Sequence, residues 1–119
     1  MVLSGTVNKR LTARLVSHGV RAVGLSGVDG GLLRADKLAH PKGDLGRVGE
    51  VKQVDTAFLD GLLAQGITPI ISPISLGEDG RPFNVNADHA ALAIASALRV
   101  REMIFLTDVP GVLYQGALL

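Results

Sequence analysis

Three times along this chain, a segment with helical spacing gives way to a short, mainly apolar run. Leu3, Val7, Leu11 and Leu15 recur every fourth residue, with Lys9, Arg10, Arg14 and Ser17 elsewhere, and His18-Gly19 closes the pattern. That spacing predicts an amphipathic helix followed by the apolar run Val20 to Leu25. Asp55 or Thr56 can cap a second helix, with a stripe of Phe58, Leu59, Leu62 and Leu63 and a stop at Gly66. Ile67 to Ser72 is the next apolar run. A third helix, from about Asn86 to Leu98, precedes the run Met103 to Leu106. Strands that are apolar throughout are expected where helices cover both faces of a sheet. The fold class expected is therefore α/β, a three-layer α/β/α sandwich around a mainly parallel sheet.

Between these units the chain supplies turns. Gly24-Leu25-Ser26-Gly27-Val28-Asp29-Gly30-Gly31 is a glycine-dense loop, and residues 32–54 read as extended arms turning at His40-Pro41-Lys42-Gly43. Glu78-Asp79-Gly80 predicts a hairpin between Ile74-Ser75-Leu76 and Phe83-Asn84-Val85. The third helix carries Ala87, Ala90, Ala91, Ala93, Ala95 and Ala97 around Leu92, Ile94 and Leu98, so it is expected to be buried against the sheet. A helical pattern already under way at Leu3 and a last stretch ending on Ala117-Leu118-Leu119 suggest part of one domain, residues 1–119, cut at both ends.

Composition narrows the function. With 47% hydrophobic residues but only 3% aromatics, the core must be close-packed Leu, Val, Ile and Ala. A net charge of +1, without a basic run or an aromatic stacking platform, argues against nucleic acid. The absence of cysteine excludes disulfides and thiolate metal sites and suits the cytoplasm. No apolar run is long enough to span a bilayer, and the first residues lack signal-peptide order. His18, His40 and His89 are too far apart to suggest a metal cluster, and Lys9, Lys37, Lys42 and Lys52 read as surface charge.

Ligands of open parallel sheets bind beyond the carboxyl ends of the strands. All three polar segments of interest follow an apolar run: residues 24–31, 72–88 and 107–111. The glycine loop matches neither the Walker nor the dinucleotide fingerprint; it is a tight turn, or a place where backbone N–H groups meet an anion. Asn84-Val85-Asn86-Ala87-Asp88 concentrates two amides and a carboxylate at a helix start. Asn86 can be simply an N-cap and Asp88 a carboxylate facing the helix dipole, which leaves Asn84 without a role. Read as a site, Asn84 binds a substrate's donors and acceptors, and Asp88 positions cationic groups near a transferring phosphate. Thr107-Asp108, followed by Pro110-Gly111, is either a polar strand exit or a hydroxyl and carboxylate suited to a nucleotide, with Gly111 allowing close backbone approach.

Taken together these stretches resemble the acetylglutamate kinases of the amino acid kinase family. The resemblance rests on Val7-Asn8-Lys9, Ala22 to Gly27 with Asp29-Gly30-Gly31, and Gly49-Glu50-Val51. It extends through Gly77-Glu78-Asp79-Gly80 and Asn84 to Asp88, and ends with Leu106-Thr107-Asp108-Val109-Pro110-Gly111-Val112-Leu113. It implies transfer of a phosphoryl group from ATP, with Mg²⁺, to the side-chain carboxylate of N-acetyl-L-glutamate in arginine biosynthesis. It further implies that Asn84 binds the acetylglutamate, Asp88 organises catalytic lysines, and Thr107, Asp108 and Gly111 belong to the ATP pocket. The first helix would lie near a homodimer interface.

This sequence departs from the family's pattern in one respect. The family's glycine-rich phosphate loop with its lysine, and its second catalytic lysine, have no match among these residues. The 119-residue chain alone is therefore expected to be catalytically silent. The alternatives are a sister kinase acting on carrier-bound aminoadipate, or a non-catalytic binding or assembly module that kept the fold.

Overall fold

The computed structural model describes residues 3–37, 49–106, 113–114 and 117–118. A π-helical turn, Leu3–Val7, leads into α1, Asn8–Ser17, and β1, Ala22–Ser26. A 3₁₀ turn at Asp29–Gly31 precedes β2, Leu33–Lys37. Then come β3, Gly49–Val54, α2, Thr56–Ala64, and β4, Thr68–Ser72. β5, Ile74–Gly77, and β6, Pro82–Asn84, precede α3, Ala87–Leu98. Leu113–Tyr114 (β7) and Ala117–Leu118 (β8) form a short antiparallel pair.

The α/β class stands, with helices packed on strands whose pairing is mixed. β1 and β4 run parallel, Ala22 opposite Thr68 and Ser26 opposite Ser72. A four-stranded sheet has the order β3-β2-β5-β6, in which β2 and β5 are parallel and the outer pairs antiparallel. The hairpin at Glu78-Asp79-Gly80 forms as expected: Gly80 takes φ +78°, and the Asp79 carboxylate accepts from the Arg81 N–H at 2.9 Å.

Local chemistry explains the helix ends. Asp55 caps α2 by accepting from the Phe58 N–H at 3.1 Å, which resolves the choice between Asp55 and Thr56. α1 and α2 end on Gly19 and Gly66, at φ +87° and +73°, where an L side chain would be strained. α3 ends the same way on Arg99, at φ 55° and without that freedom.

Leu32, Leu33, Ala35, Leu59, Phe83, Val85 and Ala90 make the core. The four-stranded sheet curls until its two edge strands approach each other. A β-carbon added to Gly49 on β3 would stand 2.8 Å from the Phe83 Cβ on β6, and one added to Gly77 would stand 2.5 Å from the Phe83 ring. Phe83 therefore lies in a slot that two missing side chains create.

Two expectations are corrected. Met103 to Leu106 forms no strand: the run is without regular structure, and Leu106 is 95% exposed. α3 is not buried all round, since only Ala90 is fully covered and Leu92 is 56% exposed. On α1 the polar flank, rather than the leucine stripe, meets β1. Leu11 is 48% exposed and Val7 is exposed too, while Asn8 and Thr12 approach β1 at Gly24. In both corrected cases, apolar character marks a surface for burial without naming the neighbour that buries it.

Candidate active site

Two parallel strands, β1 and β4, end side by side and set the site's floor. The Gly27 N–H, just past β1, donates to the carbonyl of Ser72, the last residue of β4, at 3.2 Å. From there the chain bends into the glycine loop on one side and through Pro73 into β5 on the other. A side chain on Gly27 would meet the Ile74 carbonyl oxygen at 2.6 Å and the Leu33 Cβ at 2.7 Å, so only glycine fits. Ile74 in turn pairs with Asn84 across the β5–β6 hairpin. Loop, crossover and Asn84 thus meet at one end of the fold.

The glycine loop is tied to itself. The Asp29 carboxylate accepts from the Ser26 N–H at 2.7 Å and from the Ser26 hydroxyl at 3.3 Å. The Val28 N–H donates to the Ser26 hydroxyl oxygen, Gly31 to Val28 O, Leu32 to Asp29 O and Leu33 to Gly27 O. Of the two readings that the sequence leaves open, the tight turn accounts for these N–H groups. Gly30 and Gly31, at φ +61° and +69°, supply its backbone bends.

Asn84, Asn86 and Asp88 separate by environment. Buried Phe83 and Val85 flank Asn84, and strand alternation leaves Asn84 exposed between them. Its amide takes no hydrogen bond among the described residues. Asn86 is the N-cap of α3: its side-chain oxygen accepts from the His89 N–H at 3.1 Å, while its own carbonyl accepts from Ala90. Asp88 sits exposed in the first turn of α3, beside N–H groups that favour an anion, and joins no ion pair among the described residues. Among the described residues Asn84 and Asp88 thus have no side-chain partner, while Asn86 is spent on the helix. Thr107, Asp108 and Gly111 lie outside the described residues.

One apolar cleft lies elsewhere. A hollow of about 390 Å³ opens among Val16, Gly19, Val20, Ala22 and Ile67, at the starts of β1 and β4. It is mostly apolar and sits at the end of the parallel pair opposite the one where such sheets bind ligands. A more polar cleft of about 350 Å³ runs between the glycine loop and the start of α2, lined by Gly30, Gly31, Arg34, Asp55 and Thr56. Strand-end chemistry, rather than cavity size, therefore locates the site. Among the described residues no three His, Asp or Glu side chains gather as metal ligands. No helix there is long and apolar enough to cross a membrane.

Two residues carry more than their sequence context indicates. Lys9 is not simple surface charge: its ammonium donates to the Gly24 carbonyl at 2.7 Å. Asn8, beside it, is only 4% exposed. Their partners are distant in sequence, so no local signal could reveal them.

The amino acid kinase family model matches residues 1–116. The chain belongs to the amino acid kinase family. Among amino acid kinases, the acetylglutamate kinase of Roseiflexus sp. (strain RS-1) is 55% identical over 116 residues, which cover 98% of this chain and 44% of that protein. That of Methanopyrus kandleri is 55% identical over 117 residues, covering 95% of this chain and 48% of its own length. The chain thus spans less than half the length of these relatives. Among solved structures, smu.665 from Streptococcus mutans UA159 superposes with a TM-score of 0.88 at 32% identity, covering 98% of this chain and 46% of that one. An N-acetylglutamate synthase from Neisseria gonorrhoeae, complexed with coenzyme A and N-acetyl-glutamate, has a TM-score of 0.83 at 27% identity, over 97% of this chain and 26% of its own.

Proposed function

We propose that the protein carrying this chain is an acetylglutamate kinase, transferring the terminal phosphoryl group of ATP to the side-chain carboxylate of N-acetyl-L-glutamate. One observation carries the reading: Asn84, at the end of β6, and Asp88, in the first turn of α3, stand exposed and without a partner among the described residues, while Asn86 between them is occupied as a cap. The acetylglutamate kinases at 55% identity support the acceptor. So does the synthase of like fold, crystallised with N-acetyl-glutamate.

The chemistry suits such a site. A carboxylate with an ordinary pKa of about 4.3 is ionised at neutral pH, so the nucleophile needs no general base. What the protein must do is hold two anions in line and neutralise charge on the phosphoryl group in flight. Asn84, with both a donor and an acceptor, binds the acyl amino acid. Asp88 holds cationic side chains against the phosphates and acts as an organiser, not a base. Thr107, Asp108 and Gly111 serve the nucleotide, and Mg²⁺ arrives with ATP, held largely by phosphate oxygens. The setting is biosynthetic and cytoplasmic, in the route to arginine. The exposed Val7, just before α1, and Leu11 on it suit a homodimer, which light scattering would test against a single-chain mass.

On this reading the 119-residue chain by itself turns over nothing measurable, because no cation pairs with Asp88 among the described residues. The test is ADP release by the full protein with ATP, Mg²⁺ and either acetylglutamate or a carrier-bound aminoadipate. Release that requires acetylglutamate supports the assignment. Release that ignores acetylglutamate sinks it.

A further inference from the structure

Asn8 is an unusual residue to bury. It lies in the first turn of α1, is 4% exposed, and its side-chain nitrogen donates to two carbonyls at once: Leu25 on β1 at 3.2 Å and Ile70 on β4 at 3.0 Å. Those acceptors are 17 and 62 residues away in sequence. A carboxamide NH₂ has two hydrogens, one for each carbonyl, and the reverse orientation would set oxygen against oxygen. The amide is therefore held one way round. Its own oxygen is buried and has no partner among the described residues, a cost the site accepts to keep the double donor in place.

The surroundings are shaped for this contact. The Thr12 hydroxyl donates back to the Asn8 carbonyl at 2.8 Å, and Lys9 donates to Gly24 O at 2.7 Å. A β-carbon on Gly24 would collide with the Asn8 side-chain oxygen and would stand 2.7 Å from the Thr12 hydroxyl. Gly24 is thus a notch that admits the amide. The pinned carbonyls lie just upstream of the residues where both strands end. Gly27 then donates to Ser72 O, and Ile74 pairs with Asn84.

We propose that Asn8 is a positioning residue, a two-strand pin that holds the ends of β1 and β4 in register and thereby sets the glycine loop and Asn84 relative to one another. For its effect on turnover this rests on the acetylglutamate kinase reading; for its effect on structure it does not. No contact between Asn8 and the substrate is invoked.

The test has three readouts in the full protein. First, side-chain amide exchange in the unsubstituted protein is followed by ¹⁵N NMR, with exposed Asn84 as the internal reference; Asn8 protons should exchange at least about tenfold more slowly. Equal rates would overturn the pin, whatever happens to the variants. Second, Asn8→Leu removes the donors and Gly24→Ala fills the notch. Both should raise backbone deuterium exchange about tenfold at residues 26–33 and 82–86 while leaving α3 unchanged. Unaltered exchange at the loop in either variant would overturn the proposal. Third, both variants should raise the KM for acetylglutamate about tenfold with kcat within about twofold. A fall in kcat with unchanged KM would overturn the link to Asn84. Absence of acetylglutamate turnover in the unsubstituted protein would instead sink the functional reading, and the exchange rates would still decide the pin.

Discussion

Gly27 stands so close to Ile74 that a β-carbon on it would lie 2.6 Å from the Ile74 carbonyl oxygen. Because Ile74 pairs with Asn84, this contact sets the glycine loop against the strand that carries the candidate substrate ligand. Gly27→Ala should therefore cost about 1–3 kcal/mol of stability through overpacking. It should also raise the acetylglutamate KM. Thermal unfolding and steady-state kinetics check both; a stable variant with unchanged KM would show that the loop gives way.

Asp88 and Asn84 should fail differently. Asp88→Asn keeps the shape but removes the charge that organises cations, so kcat should fall on the order of 10²–10³-fold while ATP binding barely changes. Asn84→Ala should leave kcat within a few-fold and raise the acetylglutamate KM about tenfold or more. Interchanged effects would refute both assignments.

Asn86→Ala is the control between them. It removes the side-chain acceptor for the His89 N–H and should destabilise the protein by about 1 kcal/mol. Chemical denaturation reads that loss. At temperatures where the variant stays folded, its kinetic constants should match those of the unsubstituted enzyme.

Arg99 closes α3 at φ 55°, where the other two helices use glycine. Arg99→Gly should therefore stabilise the protein by about 0.5–1 kcal/mol, the relief of a left-handed side chain less the added freedom of the unfolded chain. A lower midpoint in denaturant would mean that the Arg99 side chain does more than close the helix.

Features that depend on near neighbours along the chain are legible in the sequence itself. Asp55 and Asn86 cap helices within three residues of themselves, and Glu78 to Gly80 turn a hairpin within their own span. The cluster from Asn84 to Asp88 is equally visible, and its division into ligand groups and cap follows from strand alternation and one hydrogen bond. Features that depend on distant partners are not legible in this way. Val7-Asn8-Lys9 stands out only through the family resemblance, and nothing local shows what Asn8 bonds, because Leu25 and Ile70 lie far off in the chain. The α1 stripe reads as one face of an amphipathic helix, but leucine spacing does not say that Gly24 on β1 accepts polar atoms rather than leucines. Met103 to Leu106 reads as a strand, but an apolar run acquires that form only where an edge is there to pair with it.

Phe83 bridges the two edges of the four-stranded sheet, touching the positions of Gly49 on one side and Gly77 on the other. An open sheet could flex strand by strand, but one whose margins are buttoned together by a ring must travel as a rigid plate. Asn84, the next residue along, rides on that plate. Any closing of the protein over its ligand must then take place where the plate joins the β1–β4 pair, at the glycine loop, at α2 and at the bend through Pro73, and the pocket's geometry will be governed by those three junctions rather than by the strands of the plate.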